Sequence, residues 1–437
     1  MAGLVRQHGS LRQDDVAQLT GLSQAFLSML EAGRRRLTNI DKIAEFLSGL
    51  GVPPEISPLP LPRRAQPPIS LVNGDLDPAL PWTTSRMVAA LGTAVGGGAM
   101  DRRQFLAVSG LALTSYVHHW STAEAEPLIR AAEGSQLTHE LLDNLQVTTD
   151  NLRSMDASAG SGTLADLGDA HLLFLKRLVD QASYDENTGR RLAAIIADTA
   201  IQTGWFTFDG GDRDSTPAYL LAALRAANAS GDTRLGAGAL SYLAIHRYST
   251  GAPRAAVTAA RAAREKIKRL GTPALEAMLL TRQARGHAKL GERQEMLTAL
   301  GQAAELCARG RSERDPHWLY WVNEGEIHGQ AGSCFLDLGD PQRAVTSLSK
   351  AHDSLNPSDQ RTRGLFLART ASAHLRQGDI DAGCGIAHET LDLAEQLQSA
   401  RLNEHVEAML SDLQTAGDAT YAQELLDRAA TLTGARK

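Results

Sequence analysis

Ala331-Gly-Ser-Cys-Phe-Leu-Asp-Leu-Gly-Asp-Pro-Gln-Arg-Ala-Val-Thr-Ser-Leu-Ser-Lys-Ala351 reads as one helical hairpin. A first helix runs out at Leu338, Gly339 turns the chain and Pro341 opens the next helix. Glycine suits the position just past a helix end, and proline's fixed φ suits the first helical position. The same turn signal recurs at Gly251, Gly291, Gly378 and Gly417, so with Gly339 the turn glycines stand 40, 48, 39 and 39 residues apart. A period of about forty with one insertion predicts hairpins stacked into a superhelix with a concave face.

Outward from this stretch, the text from about residue 101 is rich in Ala and Leu, with breakers spaced for helices of roughly 14 to 20 residues and almost no alternating pattern. The fold class is therefore all-α. Residues 230–437 carry the repeat, and residues 100–229 form a helical region leading into it. Gly160-Ser161-Gly162 breaks that region once, and the pairing of its helices stays open. The insertion in the repeat surrounds Arg309–Tyr320 and, with Trp321 just beyond, holds two of the five tryptophans.

Nine of the sixteen prolines fall between Pro53 and Pro81. Proline at that density forbids a helix and favours an extended spacer, and Gly96-Gly97-Gly98 adds a second break. Residues 53–99 are read as a linker, which leaves 1–52 as a separate head. Residues 1–64 carry eight Arg or Lys against six Asp or Glu, whereas the whole chain has a net charge of −6. A mildly basic head thus precedes an acidic body. Cys307, Cys334 and Cys384 are odd in number and include no CxxC pair, so neither a disulfide framework nor a structural zinc site is indicated, which fits a reducing cytoplasm. No apolar run approaches the roughly 18 residues of a membrane span.

In the head, Arg12–Leu19 reads as a short helix, Gly21 as a turn and Ser23 as the N-cap of a second helix ending near Glu31, before Gly33. Ala17 is small where the two helices must cross, and Val16, Leu22, Leu27 and Leu30 are apolar anchors. A third helix is expected with Thr38 as its cap, Asp41 completing a capping box, and Ile40, Ile43, Ala44 and Leu47 as its apolar stripe.

The stretch from Gln13 to Arg34, with its turn glycine, crossing alanine, cap and anchors, resembles the Cro/repressor (XRE) helix-turn-helix family over about fifty residues. The resemblance implies binding to double-stranded DNA. It places Gln24, Ala25, Ser28 and Met29 on the base-reading face and Gln13 at a phosphate. Gln24 suits the N6 and N7 edge of adenine, Ala25 a thymine methyl, and Ser28 either a donor or an acceptor. Arg12, Gln13, Ser23, Arg34, Arg35 and Arg36 are the expected phosphate contacts.

The small residues Ala331, Ala344 and Ala351 around the turn glycine make residues 230–434 similar to tetratricopeptide repeats. The whole arrangement resembles cytoplasmic bacterial regulators that join such a body to an XRE head, some of which bind signalling peptides. The resemblance implies a transcriptional regulator whose body forms a homodimer or senses a peptide or small ligand. Its candidate groove is Trp318, Tyr320, Trp321, Asn323, Glu324, Glu326 and His328, with Arg363 and Arg369 from the next hairpin; Trp318 and Trp321 are equally suited to filling the hairpin core. A dimer would place two heads about 34 Å apart on a near-palindromic site.

Two other readings stay open. One is a protein-binding adaptor with a vestigial head. The other is an exported helical-repeat protein starting at Met100, because Asp101-Arg-Arg-Gln-Phe-Leu-Ala-Val-Ser-Gly-Leu-Ala-Leu-Thr114 resembles a twin-arginine signal; as part of the longer chain it reads as the body's first helix. His118-His119 and the other histidines lack a metal-ligand spacing. No nucleophile elbow, P-loop or dinucleotide fingerprint is present, so neither an enzyme nor a cofactor is expected.

Overall fold

The computed structural model describes residues 22–49, 75–78, 80–96, 111–126, 128–130, 136–355, 359–416 and 423–429. The chain divides into two units, Met1–Ser70 and Leu71–Lys437. Among the described residues there is no strand, only two isolated bridges, Arg130 with Tyr184 and Gln136 with Ser183. No helix among them is long and apolar enough to cross a membrane.

In the first unit, α1 (Gln24–Glu31) starts at Ser23, whose side chain accepts the Phe26 N–H at 3.3 Å. It ends where Gly33 takes a φ of +69°, the left-handed region that only glycine enters freely. The next helix, α2 (Ile40–Gly49), is capped one residue later than expected: Asn39 Oδ1, not Thr38, accepts the Lys42 N–H at 3.1 Å. Of the expected apolar stripe, Ala44 is buried and Ile43 half-buried. Ile40 is 63% exposed, while Phe46 is buried against Leu27 with Leu22, Leu30 and Leu37 around them. Arg12, Gln13, Val16, Ala17 and Gly21 lie outside the described residues.

The second unit begins inside the stretch read as linker. There α3 (Thr84–Val95) buries Met87, Ala90, Leu91 and Ala94 in the body's core. The chain immediately before it is tied down too. Arg225 donates to the carbonyls of Asp77 at 2.6 Å and Pro81 at 3.0 Å and lies 5.0 Å over the Trp82 ring. Proline density excludes a helix, but it does not exclude docking of the extended chain that results. After α4 (Leu111–Thr122) come α5 (His139–Ala159), α6 (Leu164–Gln181), α7 (Glu186–Asp209), α8 (Thr216–Ser230) and α9 (Thr233–Ser249). They are followed by α10 (Pro253–Ile267), α11 (Pro273–Lys289), α12 (Arg293–Ala308), α13 (Glu324–Asp337), α14 (Pro341–Ser354), α15 (Gln360–Gln377), α16 (Ile380–Gln396) and α17 (Ala400–Ala416). The arginine pair of the Asp101–Thr114 stretch lies outside the described residues.

From α7 onward each helix packs on the next, and α7, α9, α11, α13, α15 and α17 also pack on one another in turn. This solenoid-like ladder sorts its helices by composition. α9 and α11 are buried along most of their length, whereas α10 buries only one stripe, Ala256, Val257, Ala259, Ala260, Ala263 and Ile267. Left-handed glycines occupy 211, 231, 251, 271, 291 and 310, so the turn spacing is 19 to 20 residues. The period of forty read from the sequence is two such steps, one hairpin. The insertion forms an irregular loop ending in a 3₁₀ turn, His317–Leu319.

One helix leaves the ladder. α5 packs on α7 and also reaches α15, and the turn after it is fastened to the far end of the body. Gly162 N–H donates to Gln398 O at 3.0 Å, and a Cβ at Gly160, where φ is +82°, would lie 2.8 Å from the same carbonyl. Helices early and late in the body thereby share one site.

Candidate functional site

In the head, α1 presents Gln24, Ala25 and Ser28 exposed, at the i, i+1 and i+4 positions of one face. Met29 is half-buried and so offers that face less of its side chain. Ser23 is exposed; its oxygen accepts the capping bond, and its hydroxyl proton remains available to a phosphate. Arg34, Arg35 and Arg36 are exposed just past the helix, where the N–H groups of Arg34 and Arg35 both bond to Met29 O.

In the body, α5, α7, α9, α11, the 3₁₀ segment, α13, α15 and α17 enclose a cavity of about 600 Å³. Among the residues read from the sequence as a groove, Trp318, Tyr320, Trp321, Asn323, Glu326 and Arg369 line it. Glu324, His328 and Arg363 are not among its lining. On α13 the cavity face is Glu326, Gln330 and Ser333, spaced four and three apart; Glu324 and His328 fall on another face. Arg363 is exposed and pairs with Glu389. Asn323 Oδ1 is engaged in capping α13, accepting the Glu326 N–H at 3.0 Å. Trp318 serves both readings made of it, being 5% exposed within the main core and also part of the wall.

Polar clusters that the sequence reading missed complete the wall. On α5, Arg153 bonds Asp150 and, at 2.6 Å, Asp198 of α7, while His317 Nε2 lies 3.1 Å from Asp150. The hydrogen bond to Asp150 raises the His317 pKa above the usual histidine range. Burial pushes Asp150 upward, but His317 and Arg153 outweigh it and its pKa ends low. Asp150, Asp198 and His317 bring three potential metal-ligand atoms within 4.8 Å of one another. No metal-ligand set was legible in the sequence because these positions span 167 residues. Arg153 already supplies a positive charge to both carboxylates.

Deeper in, Asp156 accepts from Trp205 Nε1 at 3.0 Å and Ser161 Oγ at 2.7 Å and pairs with Arg361 at 3.3 Å. Burial raises the Asp156 pKa despite Arg361. Arg361 and Arg401 lie 4.9 and 5.5 Å from the Trp205 ring centre. On the opposite stretch of chain Arg282 pairs with Glu326 at 3.5 Å and lies 5.7 Å from the Trp321 ring. Aromatic faces interleaved with guanidinium groups make a wall suited to a ligand with a flat apolar body and polar ends.

A helix-turn-helix family model matches residues 4–56. No curated protein matches the chain significantly. The helical ladder of the body is consistent with tetratricopeptide-type repeats. The head is an XRE-type helix-turn-helix domain, and it supports a DNA-binding transcription regulator.

Proposed function

We propose that this protein is a sequence-specific transcriptional regulator whose activity responds to a small organic ligand held in the body. The observation that carries the reading is the helix-turn-helix match over residues 4–56, on which α1 leaves Gln24, Ala25 and Ser28 open to solvent. These side chains, with Met29 at the margin, read base edges in the major groove; Ser23 and Arg34–Arg36, with Arg12 and Gln13, hold phosphates. The body pairs two chains and sets the spacing of their heads. A ligand in the cavity joins α5 to α15 and α17. A difference of about 1 to 3 kcal/mol in its affinity for two arrangements of those helices changes operator occupancy several-fold or more.

The test is footprinting of the full-length protein on the DNA around its own gene at two salt concentrations, with and without a small-molecule extract. Wild type protects a discrete site. The Arg34→Ala, Arg35→Ala, Arg36→Ala variant binds more weakly, with a salt slope shallower by about 2 to 3. Equal binding by wild type and variant would remove these arginines from the interface. Absence of any DNA binding would favour a protein-binding adaptor.

A further inference from the structure

The end of the cavity built by α15 and α17 carries more positive charge than the chain neutralises. Arg369 and Arg401 both line it. Among the described residues no carboxylate comes within ion-pair distance of either, whereas Arg153, Arg282 and Arg361 on the same wall each have one. The nearby Asp337 is already shared by Arg285 at 2.9 Å and Lys289 at 2.8 Å. Arg369 instead donates to His405 Nε2 at 3.2 Å, which requires that nitrogen to be an acceptor and the imidazole neutral. Burial, then the charges of Arg369 and Arg401, hold the His405 pKa well below the usual histidine range. Burial, then Arg285, brings Arg369 down to about 9. Both guanidinium groups are half-buried in the cavity wall, and the charge of Arg401 acts on Arg369.

We propose that the cavity binds an organic anion, its carboxylate or phosphate held between Arg369 and Arg401 and its apolar body against Trp205, Tyr242, Trp318 and Trp321. This rests on the reading of the cavity as a ligand site and names the ligand's class. The guanidinium fork matches the two oxygens of either acid group. Neutral His405 fixes Arg369 from behind without contributing repulsion of its own. The volume of about 600 Å³ is that of a site for one small organic molecule.

Three probes of one shape test it: 1-naphthoate, 1-naphthyl phosphate and the neutral 1-naphthamide, titrated calorimetrically into full-length protein. At least one acid binds once per chain, and the amide binds tenfold or more weakly. Arg369→Met and Arg401→Met each weaken the acid about tenfold, and the double variant loses the preference for charge. Without probe the double variant melts no lower than wild type, because it removes two cations that repel each other; a purely structural role would lower its Tm. Should the double variant fail to fold, the acid and amide on wild type still decide the matter. If the amide binds as well as both acids, the anion site is wrong while the ligand cavity stands. If no probe binds at millimolar concentration, both fall, and the footprint of the head is unaffected.

Discussion

Arg153→Met is the sharpest test of how the cavity is held together. Arg153 joins α5 to α7; its side chain is 9% exposed and that of Asp198 5%. Methionine keeps an unbranched apolar stem but removes the guanidinium, leaving Asp198 with the Gln146 amide at 2.8 Å. Breaking a buried pair from one side costs about 3 to 5 kcal/mol. Asp150, 36% exposed, adds little because water screens it. We expect urea unfolding to show a loss of about 3 kcal/mol, with Arg153→Lys intermediate because an ammonium cannot fork to both carboxylates. The variant also gains a property. Asp150, Asp198 and His317, within 4.8 Å of one another, need move only about an ångström to reach the ligand separations of tetrahedral zinc. Zinc at about a hundredfold excess over its Kd restores about 2.7 kcal/mol to Arg153→Met and nothing to wild type, in which Arg153 bonds both carboxylates. A loss under about 1 kcal/mol together with no response to zinc would refute the claim that this bridge carries the packing of α5 on α7.

Three further outcomes follow from the geometry. Burial, then Arg247, lowers the His246 pKa to about 3, and its Nε2 donates to Arg213 O at 2.8 Å, so the ring is neutral when folded and protonates first when unfolded. Stability is therefore complete above about pH 6.5 and falls by about 1.4 kcal/mol per pH unit as acid is added towards pH 3; His246→Gln flattens that slope by one proton in urea midpoints across the range. Gly329→Ala would place a Cβ 2.0 Å from the Phe366 ring, lowering stability by about 1 to 3 kcal/mol in thermal melts and weakening ligand binding, because Phe366 lines the cavity; an unchanged Tm would show that the ring moves freely. Gln24→Ala costs about 1 to 3 kcal/mol at a single base pair of the operator, and a uniform loss across operator variants would make Gln24 a positioning contact instead.

The ladder of hairpins was legible because its signals are local. Gly339 and Pro341 mark one turn by backbone geometry alone, and a left-handed glycine recurs at most junctions, though not between α14 and α15 or between α16 and α17. The doubled step was passed over, since Gly271 and Gly310 fall between the glycines that mark the period of about forty, and Gly211 and Gly231 before them. The third helix of the head was legible in part. Thr38 and Asn39 are both able caps and Asn39 takes the role, while Ala44 is buried as expected but Phe46, not Ile40, joins Leu27 in the core.

The cavity was half legible for a deeper reason. An inserted segment with clustered aromatics announces itself, so Trp318, Tyr320 and Trp321 could be picked out. The opposite wall could not, because α5 meets α7 through a polar seam. Gln146, Thr149, Arg153 and Asp156 face Asp198, Thr199 and Trp205 across it, with the two threonine hydroxyls 2.7 Å apart. A search for apolar stripes assigns that face of α5 to solvent, and the exposed Val147 and Met155 strengthen the error. Burying so many polar groups is tolerable only when each finds a partner. Most partners here come from residues about fifty positions away, which no window along the chain can see. The signal that was present is the recurrence of arginine, at Arg282, Arg369 and Arg401, on α11, α15 and α17, which alternate along the ladder and share the cavity wall. A guanidinium turned into a cavity asks where its counter-charge is; for Arg282 the answer is Glu326, and for Arg369 and Arg401 the chain supplies none among the described residues.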